Sequence, residues 1–210
     1  MAYPTVSAAY GFRPVNLLGG QVFAGSTRQM AIASAHGTAI YFGDVVIMST
    51  NGCINNATTT DAATCVAGIF MGCSYINSLN QRVFGQYFPA GTTGTVDTAT
   101  GIVAYVADDP DLVMRVAIQS AADAAPSASQ ASRASLVAGN TSIIYQTVKG
   151  STQNGNGTQG ITNAGIALST APIKIIDVVP DTSPAAGSFV EVLVTWNQNI
   201  HAYRSWTGLA

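Results

Sequence analysis

The chain has 210 residues, of which 9% are charged and 48% hydrophobic, and a net charge of −2; an ordinary soluble domain carries about 25% charged residues. That length suits one large all-β domain or two small ones and is enough to bury a core without disulfide staples. No run of about 18 apolar residues is present to cross a bilayer as a helix, and the eight Lys and Arg are scattered singly, whereas nucleic-acid binders cluster their cations.

Residues 1–10 contain no basic region, and Arg13 and Pro14 precede any long apolar stretch. The start therefore does not read as an export signal, and the expectation is a chain made in the cytoplasm and not inserted in a membrane. So few charges on such a chain predict a surface largely covered by other subunits, because charged residues are depleted at interface cores.

The first element is an extended N-terminal arm over residues 1–23. Tyr3, Tyr10, Phe12, Val15, Leu17, Leu18, Val22 and Phe23 are too apolar for a solvated tail, yet Gly11, Pro14 and Gly19-Gly20 interrupt any period. Such a segment either lies on a neighbouring subunit, which buries its side chains as it orders, or forms an irregular first strand of its own domain. On the arm reading, deletion of residues 1–23 leaves the domain folded.

Residues 24–120 are expected to form the main β domain. Thr and β-branched residues abound, Gly recurs, and Glu191 is the sole glutamate, a composition that favours strands over helices. Strands are expected at 27–33, 39–49, 66–75, 81–87, 101–106 and 111–118. Turn signals such as Gly43-Asp44, Asn51-Gly52 and Gly91 with Gly94 separate them. In 111–118 the alternation places Leu112, Met114, Val116 and Ile118 inward, against Val113, Arg115 and Ala117.

Residues 121–165 read as a connector. Their first part is rich in Ala and Ser and permits a short helix after Pro126; a strand is expected at 141–148; and Gly150 to Gly160, lacking apolar periodicity, reads as an exposed, mobile loop. Residues 166–210 supply further strands at 173–178 and 190–196. In the latter Val190, Val192, Val194 and Trp196 share one face, and Glu191, Leu193 and Thr195 the other. Many short strands at this spacing predict an all-β sandwich, jelly roll or small barrel.

Sites for chemistry are sparse. His36 sits in a turn-like Ala-His-Gly and His201 follows the last strong strand, but no nucleophile motif accompanies them, and no enzyme is expected. Asp108-Asp109-Pro110-Asp111 could offer oxygen ligands to a hard cation, but it lacks the Gly and terminal Glu of an EF-hand loop and reads as a capped turn. Cys53, Cys65 and Cys73 show no zinc spacing and read as buried, reduced thiols. The sequons at Asn56, Asn140 and Asn156 carry no weight without export. No phosphate-binding loop is present, and neither cofactor nor metal is expected.

Tyr41-Phe42, Tyr87-Phe88 and Tyr203 with Trp206 are the aromatic features. Exposed rings beside Asn and Gln could stack on sugars, whereas strand-end aromatics commonly fill a core or a subunit contact.

Tyr10-Gly-Phe-Arg-Pro-Val15, Ala39-Ile-Tyr-Phe-Gly-Asp-Val-Val46, Val66-Ala-Gly-Ile-Phe-Met-Gly-Cys-Ser-Tyr75 and Tyr105-Val-Ala-Asp-Asp-Pro-Asp111 carry a resemblance. The chain resembles the head decoration, or cement, proteins of tailed bacteriophages over most of residues 8–118 and again at the C-terminal strand. The resemblance implies a structural protein of the virion that binds the outside of the shell. Its partners would be the major capsid protein and copies of itself, commonly as a homotrimer. Neither nucleic acid nor membrane is an expected partner. Tyr10, Phe12, Arg13, Pro14, Trp196, Tyr203 and Trp206 are the candidate interface residues. Decoration proteins are often shorter, so residues 166–210 are expected either to complete the β domain or to form a small outer subdomain. The alternatives are another virion component (tail, fibre or minor head protein) and a carbohydrate-binding β module.

Overall fold

The computed structural model describes residues 8–57, 65–94, 101–119, 136–145, 148–162, 171–179, 189–197 and 200–204. The protein is all-β, as its composition predicts. Its described residues form two sheets.

The six-stranded sheet contains β2 (Arg28–Ala31), β3 (Val45–Met48), β4 (Ile54–Asn56), β5 (Val66–Ile76), β6 (Arg82–Gly85) and β7 (Val103–Ala107). Its order is β2-β7-β5-β3-β4, with β6 paired to the far end of β5. A bridge from Ile32 to Ile54 brings its two ends together, so the sheet curls into a nearly closed small barrel. Inside it pack Ile32, Ile40, Ile54, Phe70, Phe88, Ile102 and Val106.

The seven-stranded sheet contains β1 (Arg13–Leu17), β8 (Leu112–Gln119), β9 (Asn140–Thr141), β10 (Ile143–Ile144), β11 (Gly160–Thr162), β12 (Ile173–Val178) and β13 (Val190–Trp196). Its order is β10-β11-β8-β13-β12-β9, and β1 also pairs with β8. The main core lies between this sheet and the barrel, where Leu112, Met114, Val116, Ile118, Ile173, Val192, Val194 and Trp196 meet Val45, Val66, Ile69 and Ala107.

The longest strand, β5, is an 11-residue, almost continuously apolar run, because one of its faces lines the barrel and the other the main core. Gly68 makes its central crossing fit. At φ +150 a β-carbon there would lie 2.2 Å from the Ala107 carbonyl oxygen, so only glycine permits the approach.

Several expectations change. The described part of the N-terminal segment is no arm. β1 runs antiparallel to β8, Arg13 opposite Arg115 and Leu17 opposite Leu112, and Phe12 is fully buried in the main core. The chain's own core thus covers Phe12, Leu17 and Phe23, while Val15, Leu18 and Val22 of the same segment stay exposed. β8 and β13 do not bury one side alone, because Ala9, Tyr10 and Phe189 cover their second face around Ala117. Glu191, opposite Ala117, is buried there, and Thr195 is buried further along β13 with its hydroxyl donating to the Leu112 carbonyl at 3.0 Å.

The segment from Gly150 to Gly160 is anchored to the body of the protein. Gly155, Gly157, Gln159 and Gly160 are buried, and Asn156 bridges Phe42. Glycines permit this approach of backbone to backbone, which a search for apolar periodicity cannot register. Two of the expected single strands are shortened or divided: in 39–49 only Val45–Met48 is a strand, after a bend at Gly43 (φ +89), and 141–148 contains the last residue of β9 and all of β10. β12 and β13 join the main sheet through five register pairs between β13 and β8, so the described C-terminal strands complete the β domain. The possible helix after Pro126 lies outside the described residues.

Candidate functional site

The two histidines do not meet. His36 Nε2 lies 3.2 Å from Asn56 Oδ1, with its ring near Phe88, whereas His201 is buried beside Trp196 and bridges the start of β5. Among the described residues no three His, Cys, Asp or Glu side chains gather as metal ligands. The acidic run is a capped, ion-paired turn. Asp109 Oδ1 accepts the Asp111 N–H at 2.8 Å, Asp108 lies 2.6 Å from Arg28 Nε, and both Asp111 oxygens accept from Arg204 at 2.9 Å. All three thiols are free, and burial pushes that of Cys73 up to about 12, which keeps it protonated and inert.

Of the candidate interface residues, Tyr10, Arg13 and Pro14 lie together on the β1 side of the seven-stranded sheet. The Arg13 guanidinium stacks 4.4 Å from the Phe42 ring centroid and donates to Asn156 Oδ1 at 2.9 Å. Arg13 directly opposes Arg115, a like-charge cross-strand pair that is unfavourable by itself. Glu191, 2% exposed, offsets it by binding Arg115 and accepting from the Tyr10 hydroxyl. Burial and the neighbouring Glu191 carboxylate raise the Tyr10 hydroxyl well above its ordinary value, so it remains a donor. Phe12 and Trp196, in contrast, are core residues at 0% and 6% exposure, which removes them as contacts for a partner. Tyr203 is exposed, with the Arg28 guanidinium 4.7 Å over its ring. Trp206 lies outside the described residues.

Beside this face a second carboxyl is buried. Asp44 Oδ2 accepts the Tyr41 N–H at 2.9 Å, and Oδ1 has no hydrogen-bond partner. Burial pushes its pKa up to about 7 against the pull of Lys149 and Arg13.

The surface feature that the sequence reading missed is apolar. Among the described residues, six of the eight exposed large hydrophobic side chains fall in two hairpins: Val15, Leu18 and Val22 in and after β1, and Ile76, Leu79 and Phe84 in the β5–β6 hairpin. Leu79 and Phe84 are 74% and 70% exposed. Beneath the second hairpin's tip lies a cleft of about 370 Å³, lined by Tyr75 to Ser78 and Pro89 to Thr93, with no charged side chain. Pairing of Ser74 with Phe84 and Ile76 with Arg82 puts these four on one face of the hairpin. The Arg82-Val83-Phe84 alternation was a readable signal that Phe84 shares the charged residue's side.

Of the rings considered for sugar stacking, those at 41, 87 and 88 are engaged within the protein. Tyr41 and Tyr87 stack on each other at 5.6 Å, and Phe88 is fully buried. No protein-family model, curated protein or solved structure matches the chain.

Proposed function

We propose that the protein is a structural subunit acting through protein–protein interfaces, namely a decoration protein that binds the outer shell of a tailed bacteriophage and associates with copies of itself. One observation carries the reading: exposed apolar side chains are gathered on two hairpins instead of being scattered. Clustering of this kind marks an association surface, and among the described residues β6 pairs with β5 alone, leaving its outer side an open strand edge, which natural monomers usually blunt with charge. Burying each Ile, Leu or Phe contributes roughly 1.5–3 kcal/mol, and repetition around a symmetry axis multiplies such contacts by avidity. The low charge of the chain and the resemblance of its motifs to decoration proteins point the same way.

The test pairs two measurements on wild type and on the double variant Leu79→Asp/Phe84→Asp: sedimentation velocity over a range of concentrations, and co-sedimentation with shells assembled from the major capsid protein of the same phage. Wild type is expected to self-associate and to pellet with shells, and the variant to lose both while keeping its circular dichroism. A wild type that remains monomeric and stays in the supernatant overturns the proposal.

A further inference from the structure

We propose that the segment from Ile200 to Arg204 is an acid-released latch, closed while His201 is neutral and opened when its imidazole takes up a proton. The inference does not depend on what the protein binds.

Among the described residues the latch has few fastenings. Backbone bonds tie it to one residue of β5: Val66 N–H donates to the Ile200 carbonyl at 3.1 Å, and Ala202 N–H donates to the Val66 carbonyl at 2.8 Å. The ion pair of Arg204 with Asp111 is about half exposed on both sides, so it adds little. Arg28 of β2 stands 4.7 Å over the exposed Tyr203 ring, and Ile200 and the His201 ring are buried, the latter 2% exposed and packed against Trp196 and Tyr203 at centroid distances of 6.2 and 5.3 Å.

His201 accommodates the closed state only as a neutral ring. Its Nδ1 lies 3.4 Å from the Tyr203 backbone nitrogen, whose N–H points at it, so Nδ1 serves as the acceptor and the single ring proton belongs on Nε2. Protonation places a second N–H on Nδ1, facing the Tyr203 donor, and puts a full charge in a buried site. Nε2 and the neighbouring Trp196 Nε1 are buried without a hydrogen bond of good geometry, and the Ala67 backbone is the one polar group of β5 that favours a charged ring.

The surrounding charges do not reverse this. Asp108 and Asp109, from the turn after β7, attract a proton to His201, as does the Ala67 backbone, while Arg204 on the latch itself repels one. Asp108 is engaged by Arg28, Asp109 caps the turn, and Asp111 is engaged by Arg204. Arg28 also stands over Tyr203, the ring beside His201. Burial outweighs the attraction and holds the imidazole below its ordinary value of 6.5. Release as pH falls then frees the Val66 N–H and carbonyl and uncovers the end of the main core at Trp196 and Ile200.

The test is amide hydrogen exchange of the full chain between pH 7.5 and 5, corrected for intrinsic rates. It is read at Val66 and Ala202 in the latch and at Val192 and Val194 in β13, alongside NMR titration of both imidazoles. The expected result is a loss of protection of tenfold or more at Val66 and Ala202 by pH 5, with Val192 and Val194 unchanged and the midpoint following the His201 ring. In His201→Phe the latch amides lose this pH dependence; if that variant does not fold, the wild-type titration decides alone. Unchanged protection at pH 5, loss in step with Val192, a midpoint following His36, or a folded His201→Phe that keeps the wild-type pH response overturns the proposal.

Discussion

Asp44 Oδ1 faces the backbone of Gly157 so closely that a β-carbon on Gly157 would lie 2.3 Å from it. The contact joins the Gly150 to Gly160 segment to the bend before β3, where Gly157 N–H also donates to the Phe42 carbonyl at 2.9 Å. Asp44 has no room to retreat, being fully buried and held by the Tyr41 N–H. Gly157→Ala is therefore expected to cost about 1–3 kcal/mol, the usual range for overpacking, as measured by urea unfolding. Gly19→Ala meets nothing within 4 Å and is expected to change stability by less than about 0.5 kcal/mol.

The buried Asp44 carboxyl also sets a pH dependence. Its folded pKa of about 7 exceeds the ordinary 3.8, so the folded state binds the proton more tightly than the unfolded chain. The stability it contributes is complete below about pH 4, declines as pH rises toward 7 and is lost above that. Asp44→Asn keeps an acceptor for the Tyr41 N–H without the ionisation. At pH 8 the variant is expected to be more stable than wild type by on the order of 3 kcal/mol. Equal or lower stability at pH 8 would show that Arg13 and Lys149 already hold the carboxylate comfortably.

How much of this was readable depended on where each residue found its partner. β12 and β13 fall where apolar runs and alternation placed them, and β8 does so within one residue, because those side chains line one continuous core. β4 and β11 went unseen: each has three residues, Ile-Asn-Asn and Gly-Ile-Thr, and is set by register with neighbours, Ile54 on Met48 and Ile161 on Ile118. For β1 the sequence left two readings, an arm or an irregular first strand, because Pro14 and the bulge between Pro14 and Asn16 interrupt its period; the strand is what forms. Tyr10 and Arg13 stood out locally, but the Glu191 that binds Tyr10 is 181 residues away. The alternation Arg82-Val83-Phe84 put Phe84 on the charged residue's side, but a local strand pattern does not reveal which face of a hairpin the rest of the chain leaves uncovered.

The Arg115 and Glu191 pair should respond asymmetrically to mutation. Glu191 is 2% exposed and Arg115 44% by side chain, so removing the cation strands a buried carboxylate, whereas solvent already screens part of the attraction. Arg115→Ala is expected to lose about 1–3 kcal/mol. Arg115→Met combined with Glu191→Gln, which removes both charges and keeps an acceptor for the Tyr10 hydroxyl, should recover most of it. A double variant no more stable than Arg115→Ala in the same denaturant titration would locate the loss in the packing of the arginine stem.

Truncation separates a docked strand from a detachable arm. Phe12 is fully buried in the core between the sheets, its N–H donates to the Gly43 carbonyl at 2.8 Å, and β1 covers β8 from Leu112 to Arg115. Phe12→Ala is expected to cost about 3–5 kcal/mol. Deleting residues 1–23 removes that side chain together with the whole β1 ladder, so the shortened chain should lose its cooperative unfolding transition and its strand signal in circular dichroism. Retention of both by the deletion variant would mean that β8 and the barrel close over the vacated site without β1. The segment would then be free to serve a neighbouring subunit after all.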